Sequence, residues 1–259
     1  MDNYENAMQY INEQETTNIS YAKIGKLKKI LFCGLTTYIN EKDINNKKLV
    51  VSFASNGLPE KDFFQRKTSL MKLKYERNDF DVLYLRNQSK WYLGGLPGIG
   101  KNINCTIAFL KKEFAKYDKV CCIGGSAGGY ASLLFGSLLK VNRVITINAQ
   151  TDLQYCVDNI DPCGKTEQMR QKEKQNLIKR SKECPVTWSK YNKIVNVLNE
   201  NVIYNVFYTG DEIFNQKESD GYDIVVHGDY HYDQIKTFPS VSKFNSTGIF
   251  RHLKMFLDE

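Results

Sequence analysis

The stretch from Lys119 to Gly136 constrains this chain more than any other. It reads Lys-Val-Cys-Cys-Ile-Gly-Gly-Ser-Ala-Gly-Gly-Tyr-Ala-Ser-Leu-Leu-Phe-Gly. The first part has strand length and is nearly continuous in apolar character, as expected of a strand covered on both faces. The last part is apolar with helical period. Between them lie only Gly, Ser and Ala, so the chain must pass from strand to helix through a tight turn with little room around it.

The same alternation continues along the chain. Segments 29–37, 49–53, 81–85, 143–148, 202–208 and 222–226 have strand length and are rich in Val, Ile, Tyr or Phe. Segments 102–114, 128–139, 167–178, 188–198 and 249–257 have helical period. A parallel pair of strands needs a crossover, and a helix is the usual one. The order therefore predicts an α/β protein with a mostly parallel central sheet and helices on both faces. Residues 21–259 are expected to form one domain, preceded by a polar arm over 1–20. The segment 152–185, with Pro162, Gly164 and a strongly charged helix, is expected to be a lid-like insertion over one end of the sheet.

Composition narrows the class. The 259 residues are 42% hydrophobic and 25% charged, with 5 prolines and 17 glycines, which excludes collagenous, linker and disordered chains. The net charge of +7 comes from lysines scattered among asparagines rather than from a block, so a solvated surface is expected and no nucleic-acid partner. The 7 cysteines include no C-x-x-C pair. Cys121 and Cys122 lie in an apolar run, where cysteine behaves as a small buried hydrophobe, so no disulfide framework is expected. No apolar run approaches the roughly 18 residues of a membrane span. The acidic start, with Asp2, Glu5, Glu13 and Glu15, lacks the pattern of a secretory signal. A cytoplasmic protein without a membrane span is the expectation.

Within the constraining stretch, Gly124, Gly125, Ser126, Ala127 and Gly128 form G-x-S-x-G directly after a strand and before a helix. That context suits a serine nucleophile on a bent turn, with Gly124 and Gly128 giving neighbouring chain segments room to pass. The helix N-terminus points at the same spot, and the Ala127 N–H is placed to hold a developing oxyanion. A phosphate-cradling turn fits less well, because there is no Lys-Ser/Thr pair and the spacing is not G-x-G-x-x-G. A second oxyanion donor is expected from Ala54 or Ser55, in the small-residue loop after 49–53. Trp91 and Tyr92 suit a sugar or acyl face on the same rim, or plain packing.

A serine nucleophile needs a base, and the sequence holds three histidines, His227, His231 and His252. In α/β-hydrolases the order along the chain is Ser, acid, His, with acid and His each in a loop after a late strand. His231 is favoured by its place in the loop after 222–226, with His227 and His252 as alternatives. Asp211, in the loop after 202–208, is favoured as the acid that orients the imidazole; Asp152, Glu212 and Asp229 are the alternatives.

These residues carry a resemblance. Residues 125–131, Trp91-Tyr92 with Gly94-Gly95, and residues 144–151 resemble α/β-hydrolase-fold proteins associated with bacterial surface-polysaccharide and glycan modification. They are similar, more distantly, to carbohydrate O-acetyltransferases of accessory secretion systems. The resemblance runs from about residue 49 to the C-terminus. It implies a Ser-Asp-His triad on Ser126, Asp211 and His231, with no metal or cofactor, acting on a small-molecule or glycan ester. It also leaves open an acyltransferase of the same fold, or a silent scaffold protein of a glycan-export assembly.

Overall fold

The computed structural model describes residues 22–24, 27–33, 36–40, 46–55, 70, 73, 77, 79–85, 91–96, 99, 102–159, 167–208, 228–244 and 249–259. Among the described residues nine strands form one sheet. They are β1 (Ala22–Ile24), β2 (Leu27–Cys33), β3 (Thr36–Asn40), β4 (Lys48–Phe53), β5 (Phe80–Leu85), β6 (Lys119–Gly125), β7 (Arg143–Ile147), β8 (Ile203–Phe207) and β9 (Val241–Phe244). Their order across the sheet is β1-β2-β3-β5-β4-β6-β7-β8-β9. Strands β5, β4, β6, β7, β8 and β9 are mutually parallel, while β1, β2 and β3 run antiparallel at one edge.

The two-residue period of the central strands divides the core in two. Leu49, Val51 and Phe53 of β4 share one face with Val120 and Cys122 of β6 and Val144 of β7. Val50, Cys121, Ile123 and Ile145 fill the other. The first face is covered by α1 (Ile103–Phe114) and α2 (Ala127–Leu138), and the second by α6 (Ile249–Asp258). α1 starts where the Asn102 side chain accepts a hydrogen bond from the Cys105 N–H at 3.0 Å, and it buries Ile103, Thr106, Leu110 and Phe114, one stripe of a helix. α6 buries Ile249, Leu253, Phe256 and Leu257 with the same spacing.

Between β7 and β8 the chain makes α3 (Leu153–Asp158), α4 (Glu167–Glu183) and α5 (Pro185–Tyr191). This crossover is tied to the start of α2, because the buried Tyr130 hydroxyl donates to the Tyr191 carbonyl at 2.7 Å. No helix among the described residues is long and apolar enough to cross a membrane. Burial raises the thiols of Cys121 and Cys122 well above the ordinary cysteine range, so both behave as core side chains.

Several elements differ from the sequence expectation. Segment 29–37 is parts of two antiparallel strands, β2 and β3, with Cys33 opposite Thr36. Segment 188–198 is the end of α5 followed by a 3-10 turn at Ile194–Asn196. The arm over 1–20 and the strand expected at 222–226 lie outside the described residues. β9 was not legible: Val-Ser-Lys-Phe is a partly exposed edge strand without an apolar run.

Two polar groups, one buried and one half-buried, give tests of this packing. Asp81 on β5 is fully buried, and its carboxyl accepts from Asn46 Nδ2 and from the Tyr117 hydroxyl, both at 2.7 Å. Tyr117→Phe removes one donor from a buried acceptor, and should lower stability by about 1–3 kcal/mol, read as a shift in the urea midpoint. His252 on α6 packs against the rings of Phe244 and Phe207, at 4.2 and 5.3 Å. Burial first, then Arg143 and Arg251, hold its pKa below the ordinary histidine value. A depressed pKa means that the folded state binds this proton less readily than the unfolded chain. Stability from this group is therefore present above about pH 6.5 and lost as pH falls below it. The loss of urea midpoint between about pH 7.5 and about pH 5.5 should be smaller in His252→Asn than in the wild type.

Candidate active site

Ser126 stands between β6 and α2 at φ 51°, ψ −126°, a backbone region that residues with a Cβ rarely occupy. Holding it there costs on the order of 1–3 kcal/mol. The surroundings enforce the bend. The Ser126 N–H donates to the Ile147 carbonyl of β7 at 2.9 Å, and its own carbonyl accepts from the Tyr130 N–H of α2 at 2.9 Å. The two flanking glycines are obligatory by space. A Cβ on Gly124 would lie 2.2 Å from the Gly128 carbonyl oxygen, and one on Gly128 would lie 2.2 Å from the Phe53 carbonyl oxygen.

Serine before a helix usually caps it by accepting from a backbone N–H. Ser126 makes no side-chain cap bond, although it occupies the N-cap position of α2. Its Oγ instead faces the Gln150 Nε2, which donates at 3.4 Å, and the residue is partly exposed. The chain thus forgoes a cap worth about 1 kcal/mol and leaves this hydroxyl turned toward the end of the sheet.

The oxyanion donors expected from sequence fare differently. Ala127 is the first residue of α2, where an N–H has no intrahelical acceptor. The Ala54 N–H is committed, donating to the Leu85 carbonyl at 2.8 Å, and is not free to hold an oxyanion in this arrangement. The Ser55 hydroxyl donates to the Gly125 carbonyl at 2.8 Å, tying this loop to the strand that carries the turn. Trp91 and Tyr92 are buried packing residues rather than a rim. The Tyr92 hydroxyl is shared between the carbonyls of Ala54 and Leu85, at 2.8 and 3.1 Å, so it braces the loop after β4 from inside.

His231 lies on a helical turn over 228–233, before β9, and is almost fully buried. Its Nδ1 accepts from the Thr151 N–H at 3.0 Å and lies 3.0 Å from Thr151 Oγ1, which itself donates to the His231 carbonyl at 2.9 Å. Its Nε2 faces the buried Cys156 Sγ at 3.8 Å. An Nδ1 that accepts from a peptide N–H carries no proton, so the neutral ring holds its proton on Nε2. That is the opposite tautomer to the one a serine base uses. The histidine is close to the site, since Thr151 adjoins the Gln150 that touches Ser126, but its ring is engaged with Thr151 and Cys156.

Asp152 is also committed elsewhere. One oxygen caps α3 by accepting from the Tyr155 N–H at 3.0 Å, while the other takes the Tyr230 hydroxyl and Lys193 Nζ, both at 3.2 Å. Asp229 pairs with Lys243 at 2.8 Å on the surface. His252 belongs to the α6 face described above. Asp211, Glu212 and His227 lie outside the described residues. Sequence reasoning missed Gln150 and Thr151; their signal was their position directly after a central parallel strand, beside the turn.

No family model matches the chain, and no curated protein matches it. Solved structures do. The capsule O-acetyltransferase of Neisseria meningitidis serogroup A superposes with a TM-score of 0.57 at 11% identity, over 93% of this chain and 98% of that one. EstE1, a thermophilic carboxylesterase cloned from a metagenomic library, superposes with a TM-score of 0.51 at 10% identity, over 98% and 94%. The glycosylation-associated Gap123 complex from Streptococcus agalactiae gives 0.51 at 11%, over 86% of this chain and 43% of that one. Together with the strand order and the bent turn after β6, these likenesses show that the chain has an α/β-hydrolase fold.

The strain at position 126 predicts an inverted substitution order. Glycine normally costs stability relative to alanine, by about 0.5–1 kcal/mol. Here Ser126→Gly should be more stable than Ser126→Ala by about 1 kcal/mol, because only glycine relaxes at this φ and ψ. Thermal denaturation of the two variants reads the order directly.

Proposed function

We propose that the protein is a serine hydrolase or acyltransferase that attacks an ester carbonyl with Ser126 and passes through a covalent acyl-enzyme. The observation that carries this reading is the strained, uncapped Ser126 on the turn between β6 and α2. Among the described residues its Oγ neither caps the helix nor fills the core, and accepts only from Gln150 Nε2. Attack forms the bond from Oγ to the carbonyl carbon, while the serine proton passes to an imidazole and the alcohol half leaves with that proton. The Ala127 N–H and a backbone N–H at Ser55 would hold the oxyanion.

The base comes from the connection between β8 and β9. In the first reading it is His231, oriented by Asp211; its ring must then exchange its pairing with Thr151 and Cys156 for one with Ser126. The engagement of both nitrogens of His231 favours a second reading, in which His227 is the base and His231 fixes the loop after β7. The substrate in either case is an ester, with an O-acylated glycan as the class that the glycan-linked structural relatives support. With a sugar hydroxyl in place of water, the same acyl-enzyme would perform O-acyl transfer.

A fluorophosphonate probe tests the nucleophile. Wild type and Ser132→Ala should be labelled, and Ser126→Ala should not; Ser132 is a suitable control because its hydroxyl is buried in α2 and bonded to the Gly128 carbonyl at 2.8 Å. Labelling that survives Ser126→Ala would remove the proposal. The labelling rate also separates the two bases. Loss of about a hundredfold or more in only one of His227→Gln and His231→Gln identifies the base.

A further inference from the structure

Gln150 sits directly beyond β7, and its backbone neighbourhood is fixed from several sides. The Asn148 N–H donates to the Phe207 carbonyl at 2.7 Å, and the Tyr208 hydroxyl donates to the Ala149 carbonyl at 3.0 Å. Thr151 is held by His231 as described, and its carbonyl accepts from the Ile194 N–H at 2.8 Å. Asn148 itself has a positive φ of 45°, so the chain accepts strain here too. The result is an amide side chain, 3% exposed, held against the Ser126 hydroxyl.

The two ends of that amide are in different situations. Nε2 donates to Ser126 Oγ, which occupies a lone pair of the serine and leaves its proton for a base. Oε1 is buried and has no hydrogen-bond partner among the described residues. Turning the amide over would exchange the two atoms, tie up the serine proton and still leave one end unpaired. A buried acceptor without a partner is unfavourable, and buried amide oxygens are almost always satisfied in folded proteins. Beside a nucleophile, this acceptor calls for a partner that the described residues do not supply.

We infer that Gln150 is a specificity residue whose Oε1 accepts a hydrogen bond from a free hydroxyl on the alcohol half of the ester, or on the acceptor that replaces it. The inference rests on Ser126 being the nucleophile and narrows the substrate to esters whose alcohol half carries a free hydroxyl besides the acylated one. A site built to pair with a substrate hydroxyl discriminates strongly against an analogue that lacks it, because the protein group is then left unpaired.

The test compares two esters within each variant, so that a general loss of rate cancels. One is a monoacetylated methyl glucoside with its other hydroxyls free; the other is the same acetate with those hydroxyls O-methylated. Wild type should favour the first in kcat/KM by about tenfold or more, Gln150→Met should lose that preference, and Gln150→Glu, which retains an acceptor, should keep most of it. A wild type without preference, or a Gln150→Met variant that keeps the wild-type ratio, would overturn the inference. Fluorophosphonate labelling in the same preparations separates the two levels. If Ser126 is labelled but no preference exists, only the role of Gln150 falls; if Ser126 is not labelled, the nucleophile falls and this inference with it.

Discussion

The bend at Ser126 is the constraint on which the rest of this structure depends. A parallel strand in the middle of the sheet has to deliver its last residue into the first turn of a helix that lies against the same strand. The carbonyls of Phe53 and Gly128 then come so close to the turn that only hydrogen fits at positions 128 and 124. The sequence meets this demand with glycine on either side and leaves serine at the apex, where strain of on the order of 1–3 kcal/mol persists because hydrogen bonds to Ile147 and Tyr130 hold it. Strain kept at a single polar side chain, with glycine available as an unstrained substitute, points from geometry to chemistry.

Around that apex the described residues build a hydrogen-bonded frame. Ser55 ties the loop after β4 to Gly125, and Tyr92 braces the same loop from the core. The loop after β7 is pinned by Phe207, Tyr208, His231 and Ile194. Such pinning holds donors and acceptors in place before a substrate arrives, which is how electrostatic stabilisation is obtained without reorganisation during reaction. The Thr151, His231 and Cys156 cluster belongs to this frame: it is buried, hydrogen-bonded and placed one residue from Gln150.

How much of this was legible in the sequence follows from the kind of signal each part carries. The central strands β4, β6 and β7 are covered on both faces, so their apolar runs stand out, while α1 shows a single buried stripe and α2 is buried all round. The turn at 124–128 was legible because its steric demand allows few residue types. The edge was not: β9 is half exposed and has no apolar run, and β2 with β3 reads as one segment because no break in composition separates them. The partners of the serine are set by long-range contacts. Nothing in the spacing of His231 says that its Nδ1 accepts from the Thr151 N–H, or that the Ala54 N–H is already bonded to Leu85. Gln150 is a single ordinary residue whose role depends on the direction of its amide, which only the folded chain reveals.

The central claim is that Ser126 becomes acylated. Acid quenching during turnover of p-nitrophenyl acetate, followed by peptide mapping, measures this most directly. The account predicts an acetyl group on the peptide that contains Ser126, appearing with the first release of nitrophenol and removed by hydroxylamine. Acetyl groups found only on lysine or cysteine side chains, with the Ser126 peptide unmodified while nitrophenol is released, would contradict it.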